Sequence, residues 1–176
     1  MKLTAASLLT SLAALVLGAV AVAAFAPLAW YPLAWLAAGG VYLLLLRASS
    51  PRAGLMLGFT FGLGHFLTGT SWVYVSMSVF GGLPPVLAGL ATVLFCTYLA
   101  LFPALVGALF VRLRHMRFAT DAVAFAALWV LAEWLRGWLF TGFPWLALGY
   151  SQSPPSPLAG YAPIVGVYGV TFVTLL

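Results

Sequence analysis

The sequence predicts an all-α fold, a polytopic transmembrane helix bundle of about five complete spans plus a truncated sixth. Three observations carry that prediction. Of the 176 residues, 65% are hydrophobic, whereas a soluble domain runs at about 45–50% with glycine included. Only seven basic and two acidic residues are present, while an ordinary water-facing domain carries about a quarter of its residues as charges. These charges leave three neutral tracts, residues 3–46, 53–111 and 137–176, and about 20 helical residues cross a bilayer core of about 30 Å. A soluble globule is thereby excluded. So is a disordered chain, which needs low hydrophobicity and high net charge.

Each element follows from a break in these tracts. The Pro27–Pro32 stretch interrupts the first, because proline cannot donate to a helix and biases its predecessor toward extended geometry. Helices are therefore expected over 4–25 and 32–46. In the second tract the turn signal is Gly81-Gly82-Leu83-Pro84-Pro85, which predicts helices over 53–80 and 86–111. A fifth helix is expected over 119–137, and a sixth from about 161 to 176. Those last 16 residues reach about 24 Å, short of a full crossing. A helix ending inside the bilayer without a basic anchor is expected of a piece of a longer protein.

Basic residues accumulate in the cytoplasmic loops of short-looped membrane proteins. With the N-terminus inside, Lys2, Arg47, Arg52, Arg112, Arg114 and Arg117 all face the cytoplasm, and Arg136 alone lies at an outer edge. The net charge of +5 is then explained by topology and contact with anionic membrane lipids; no nucleic acid is expected as a partner. Lys2 and the small-residue run Ala19–Ala24 also resemble a signal peptide. The apolar run is longer than the usual signal core of about 7–15 residues, and the later spans need the first helix to remain.

Several residues invite a functional reading beside a structural one. Gly54, Gly58 and Gly62 stand four apart, the small-residue pattern that lets membrane helices pack closely. His65 is an ionisable group at membrane depth, which marks a functional suspect, although a neutral imidazole can simply hydrogen-bond a neighbouring helix. Cys96 is the only cysteine, and its apolar setting disfavours a thiolate nucleophile. Asp121 suits a helix N-terminus and can pair with Arg117 four residues back. Glu133 and Arg136, three apart, are expected to pair across one turn. The pair either fixes the fifth helix near the outer interface or orients a loop or lipid headgroup.

The loop that follows contains Trp138, Phe143, Trp145 and Tyr150, with Gly142 and Pro144 breaking the helix around Phe143. Such a neutral aromatic loop suits acyl chains or a lipidated partner, and interfacial aromatic anchoring is the plainer alternative.

The run AEWLRGWLFTGFPWLALGYSQ (132–152), followed by PLAGYAPIVGVYGV (157–170), closely resembles the membrane domain of bacterial apolipoprotein N-acyltransferases. FAPLAWYPLAW (25–35), FGLGHFLTGTSWVYVS (61–76) and TYLALFPALVG (97–107) extend the resemblance over nearly the whole chain. The resemblance implies a multi-pass protein of the bacterial inner (plasma) membrane that moves an acyl chain from a phospholipid donor to the N-terminal diacylglyceryl-cysteine of a lipoprotein acceptor. It also implies a bundle of eight helices bearing a periplasmic nitrilase-like domain, whose Glu-Lys-Cys triad forms a thioester. No cofactor or metal is implied.

The triad has no counterpart here. Lys2, Cys96 and Glu133 are the single lysine, cysteine and glutamate, and they are spread over the cytoplasmic start, mid-bilayer and the fifth helix. No catalytic residue is therefore carried over, and residues 1–176 by themselves are expected to be inactive. By matching motifs, Glu133, Arg136, Gly142, Phe143, Pro144, Trp145, Gly149, Tyr150, Ser151 and Gln152 correspond to the family's outer-leaflet loop, with Trp145 the leading lipid contact. Two other classes remain open at the level of sequence: a small transporter or channel subunit, and a stand-alone membrane scaffold. A transporter predicts polar residues along a mid-depth path, where His65 and scattered Ser and Thr are all the chain offers.

Overall fold

A computed structural model describes residues 5–176 and is all-helical, with seven α-helices among the described residues. They are α1 (Ala5–Ala21), α2 (Pro32–Leu46), α3 (Pro51–Gly69), α4 (Trp72–Val75), α5 (Pro85–Leu113), α6 (Phe118–Arg136) and α7 (Ala162–Leu175). Lys2, expected at the cytoplasmic start, lies outside the described residues. Four segments, Ser7–Ala24, Pro85–Leu113, Phe118–Arg136 and Pro157–Leu175, are long and apolar enough to cross a membrane, and Pro32–Leu46 is a shorter apolar helix.

Local chemistry explains the boundaries. Ser50 caps α3 by accepting the Ala53 amide at 3.2 Å, and Pro51 occupies the first turn, where its missing N–H costs nothing. Pro32 and Pro85 open α2 and α5 in the same way. Arg114 donates to the carbonyls of Leu45 and Ala48, so a cation closes the C-terminal end of α2.

The helix expected over 53–80 is not continuous. It stops at Gly69, and Thr70 turns its hydroxyl onto the Phe66 carbonyl at 2.6 Å. The chain resumes as α4 and a π-helical turn over Ser76–Phe80. The same hydroxyl bond to the carbonyl four residues back occurs at Thr92 and Thr97 inside continuous α5, so it accompanies the break and does not by itself cause it. The last helix is also interrupted, at Gly166, whose φ is +66°.

The bundle is organised around α3, which packs against α5 on one face and α1 on another. Gly54, Gly58 and Gly62 lie against Gly107, Pro103 and Ala100 of α5, and a Cβ on Gly58 would run into the Pro103 carbonyl. Close backbone approach of this kind substitutes for the hydrophobic drive that lipid cannot supply between helices. Beyond it, Tyr42, Phe110, Phe125, Trp129 and Phe61 form a chain of ring contacts at 5.3–5.6 Å. Large apolar side chains such as Leu9, Leu90 and Leu94 point outward, as a lipid-facing surface requires.

Candidate functional site

The candidate site is built where α6 ends and residues 137–152 fold back over the bundle. The loop's path depends on unusual backbone. Phe140, Thr141 and Leu146 adopt positive φ, and Gly142, at φ +81°, lies so close to the Gly137 carbonyl that no side chain would fit. This is a compact series of turns that its surroundings must hold in shape.

Glu133 and Arg136 do the holding, although they do not form the ion pair expected from their spacing. Glu133 Oε1 accepts the Trp129 indole N–H at 3.0 Å and the Leu148 amide at 2.8 Å, while Oε2 accepts the Thr171 hydroxyl at 2.9 Å. Arg136 Nη1 donates to the carbonyls of Phe143 at 2.8 Å and Trp145 at 2.6 Å, and the guanidinium sits 5.1 Å over the Phe66 ring. Both side chains are buried. The physical reason is competition: a loop folded into an apolar setting brings amides and carbonyls that have no water, and these partners take the charges. The pairing expected between Asp121 and Arg117 is not formed either: Arg117 stays exposed, and Asp121 Oδ2 is left buried without a partner among the described residues. Asp121 Oδ1 accepts the His115 amide at 2.8 Å instead.

His65 also lies inside. Its Nδ1 is 3.2 Å from the Gly18 carbonyl on α1, and its ring is surrounded by Phe25, Phe61 and Phe66. Together with Glu133 and Arg136 it borders a cavity of about 30 Å³. That is room for about one water molecule, far below the roughly 300–1,000 Å³ of a ligand pocket. As it stands, this polar core has no room for a ligand of that size.

A ligand-sized space lies beside it. An apolar groove of about 530 Å³ is lined by Val22, Phe25 and Ala26 after α1, Gly69 and Trp72 at the break after α3, and Phe143, Pro144, Trp145, Leu146 and Tyr150 of the loop. Trp145 meets Trp72 at 5.4 Å, near edge-on, and Phe143 meets Phe95 at 4.9 Å. Trp145 and Tyr150 are half-exposed on the groove.

The sequence-predicted residues thus separate into three groups. Phe143, Pro144, Trp145 and Tyr150 line the groove; Gly142, Glu133 and Arg136 shape its wall from behind; Gly54, Gly58 and Gly62 belong to the α3–α5 contact. Ser151 and Gln152 are buried in a hydrogen-bonded chain with Leu148 and Ser156. Cys96 is buried 3.2 Å from the Thr70 hydroxyl. Sequence reasoning did not single out Val22, Trp72 or Thr171. Trp72 stands in the quoted TGTSW run, but nothing local marks Thr171, which reaches Glu133 from 38 positions away.

Fold and groove define the class: a polytopic helical membrane protein with an apolar groove of ligand size at one end of its bundle. The family follows from comparison. Residues 17–176 match the model of the apolipoprotein N-acyltransferase N-terminal domain, and the chain belongs to that family. Among curated apolipoprotein N-acyltransferases it is 54% identical to that of Nitrosomonas europaea over 76% of this chain and 27% of the relative. It is 47% identical to the Ralstonia nicotianae protein over 78% of this chain and 27% of the relative, and 44% identical to the Vibrio cholerae protein over 77% and 27%. The chain therefore spans about a quarter of the length of these relatives.

Proposed function

We propose that this domain presents acyl chains at the outer face of the bacterial inner membrane, for transfer from a phospholipid donor to the amino group of a lipoprotein's N-terminal diacylglyceryl-cysteine. The observation that carries the reading is the groove of about 530 Å³, apolar along its length and walled by Trp72, Phe143, Trp145 and Tyr150. Its chemistry suits hydrocarbon: acyl chains need aromatic and aliphatic walls without charge, and Trp and Tyr tolerate a polar headgroup at one edge. The N-terminus is cytoplasmic, which gathers Arg47, Arg52, Arg112, Arg114 and Arg117 on the inner side and sets the Trp145 loop on the outer side.

The covalent step is assigned to no residue of this chain. Glu133 is occupied by three hydrogen bonds and Cys96 is buried against Thr70. The domain's contribution is binding and orientation, which convert an encounter between two lipids into a step within one complex.

The test is a groove-filling substitution, Val22→Trp, in the protein at its natural length, with lipoprotein N-termini read by mass spectrometry. Loss of N-acylation with membrane insertion intact is the expected result. Full N-acylation with the groove filled would sink the reading.

A further inference from the structure

Four side-chain hydrogen bonds from α6 and α7 hold the 143–149 wall of the groove, and one of them comes from α7. Thr171 stands on α7, past the interruption at Gly166. Its Oγ1 accepts the Gly149 amide at 2.8 Å and donates its own proton to Glu133 Oε2 at 2.9 Å. The neighbouring amide, Leu148, goes to Glu133 Oε1 at 2.8 Å. Two successive loop amides are thus tied down, one directly by the carboxylate and one through the threonine hydroxyl. The loop backbone rests directly on α7, since a Cβ on Gly149 would collide with the Val167 carbonyl. Thr171 and Gly149 are both buried, so water cannot replace a lost partner.

We propose that Thr171 is a positioning residue for the acyl groove: its hydroxyl, donor and acceptor at once, couples α7 to Glu133 and sets the wall that carries Trp145 and Tyr150. The inference rests on the acyl-groove reading above. Its physical basis is that one hydroxyl fills two roles no apolar isostere can fill, and that a preformed pocket binds without the cost of ordering its wall. Arg136 holds the other half of the wall, through the Phe143 and Trp145 carbonyls. The segment between, around Leu146, is left no freedom to swing away from Gly69, against which the Leu146 side chain packs.

The experiment uses the protein at its natural length in phosphatidylethanolamine–phosphatidylglycerol vesicles doped with a phosphatidylcholine carrying a diazirine in its acyl chain. Photolabel on Val22, Trp72 and Trp145 is measured against label on the exposed α5 residues Leu90 and Leu94. In the unmodified protein the groove should label above the α5 reference. Thr171→Val should lower that ratio by at least about tenfold, the population shift expected when a buried amide and a carboxylate oxygen lose their partner. Thr171→Ser, which keeps the hydroxyl, should restore it. Groove labelling unchanged in Thr171→Val, or lost equally in Thr171→Ser, overturns the proposal while leaving the groove reading intact. An unmodified protein whose groove labels no better than α5 overturns the groove reading itself. Because Thr171→Val can also impair folding, amide exchange is measured in the unmodified protein. Slow exchange at Leu148 and Gly149 supports the coupling, and exchange as fast as at exposed Ile164 refutes it.

Discussion

Replacing Glu133 with leucine tests whether the carboxylate holds the loop. The change removes acceptors for three donors: the Trp129 indole, the Leu148 amide and the Thr171 hydroxyl. Trp129 is partly exposed and can turn, but the Leu148 amide and the Thr171 hydroxyl are buried. Orphaning each buried donor costs about 1–3 kcal/mol, so the two together cost about 2–6 kcal/mol. With about 2–4 °C of melting temperature per kcal/mol for a chain of this size, Glu133→Leu should melt about 4–24 °C lower. Glu133→Gln keeps one acceptor oxygen and the side-chain volume, so its loss should be well under half as large. Tryptophan-fluorescence melting in lipid nanodiscs reads both variants. Melting of Glu133→Leu within a degree or two of the unmodified protein would refute the reasoning. Equal damage from Gln and Leu would refute it in a different way, by showing that charge beside Arg136 matters and acceptor geometry does not.

Further expectations concern other parts of the molecule. Gly58→Leu should force α3 away from Pro103 on α5 and cost about 1–3 kcal/mol or more, seen as a lower melting temperature and lower yield in detergent. Trp145→Ala removes half of the Trp72 contact on the groove and should lower lipoprotein N-acylation in the natural-length protein while insertion stays normal; unchanged N-acylation would remove Trp145 from the site. Arg114→Met leaves the Leu45 and Ala48 carbonyls uncapped and should speed amide exchange in the last turn of α2, with little effect on the groove. A cysteine introduced at exposed Met116 should react with a membrane-impermeant thiol reagent only from the cytoplasmic side. Reaction from the outside would invert the topology and place the Trp145 loop in the wrong leaflet for the proposed transfer.

Much of the architecture was legible because it depends on local quantities. Length, apolar content and proline–glycine breaks decide which segments can be helices, and each of these is a property of a short window. The interruption after Gly69 escaped this reasoning, because no proline marks it between residues 53 and 80. The aromatic loop was legible by composition, and Phe143, Pro144, Trp145 and Tyr150 do line the groove. Its opposite wall was not legible. Val22, Phe25 and Trp72 come from two other parts of the chain, and only the packing of α1 against α3 brings them to one place.

Glu133 shows the dividing line most clearly. The sequence by itself determined that a costly carboxylate and a costly guanidinium stand one helical turn apart at the end of an apolar helix, and that both therefore need partners. Apart from the Trp129 indole, one turn back on α6, the partners they take were decided by tertiary structure. Spacing along a helix permits an ion pair, but the folded loop delivers Leu148, Phe143 and Trp145 backbone groups that have lost water, and α7 delivers Thr171 from 38 residues away. Buried polar groups bond to whatever the fold brings within reach, and that reach is a property of three dimensions which no window along the chain contains.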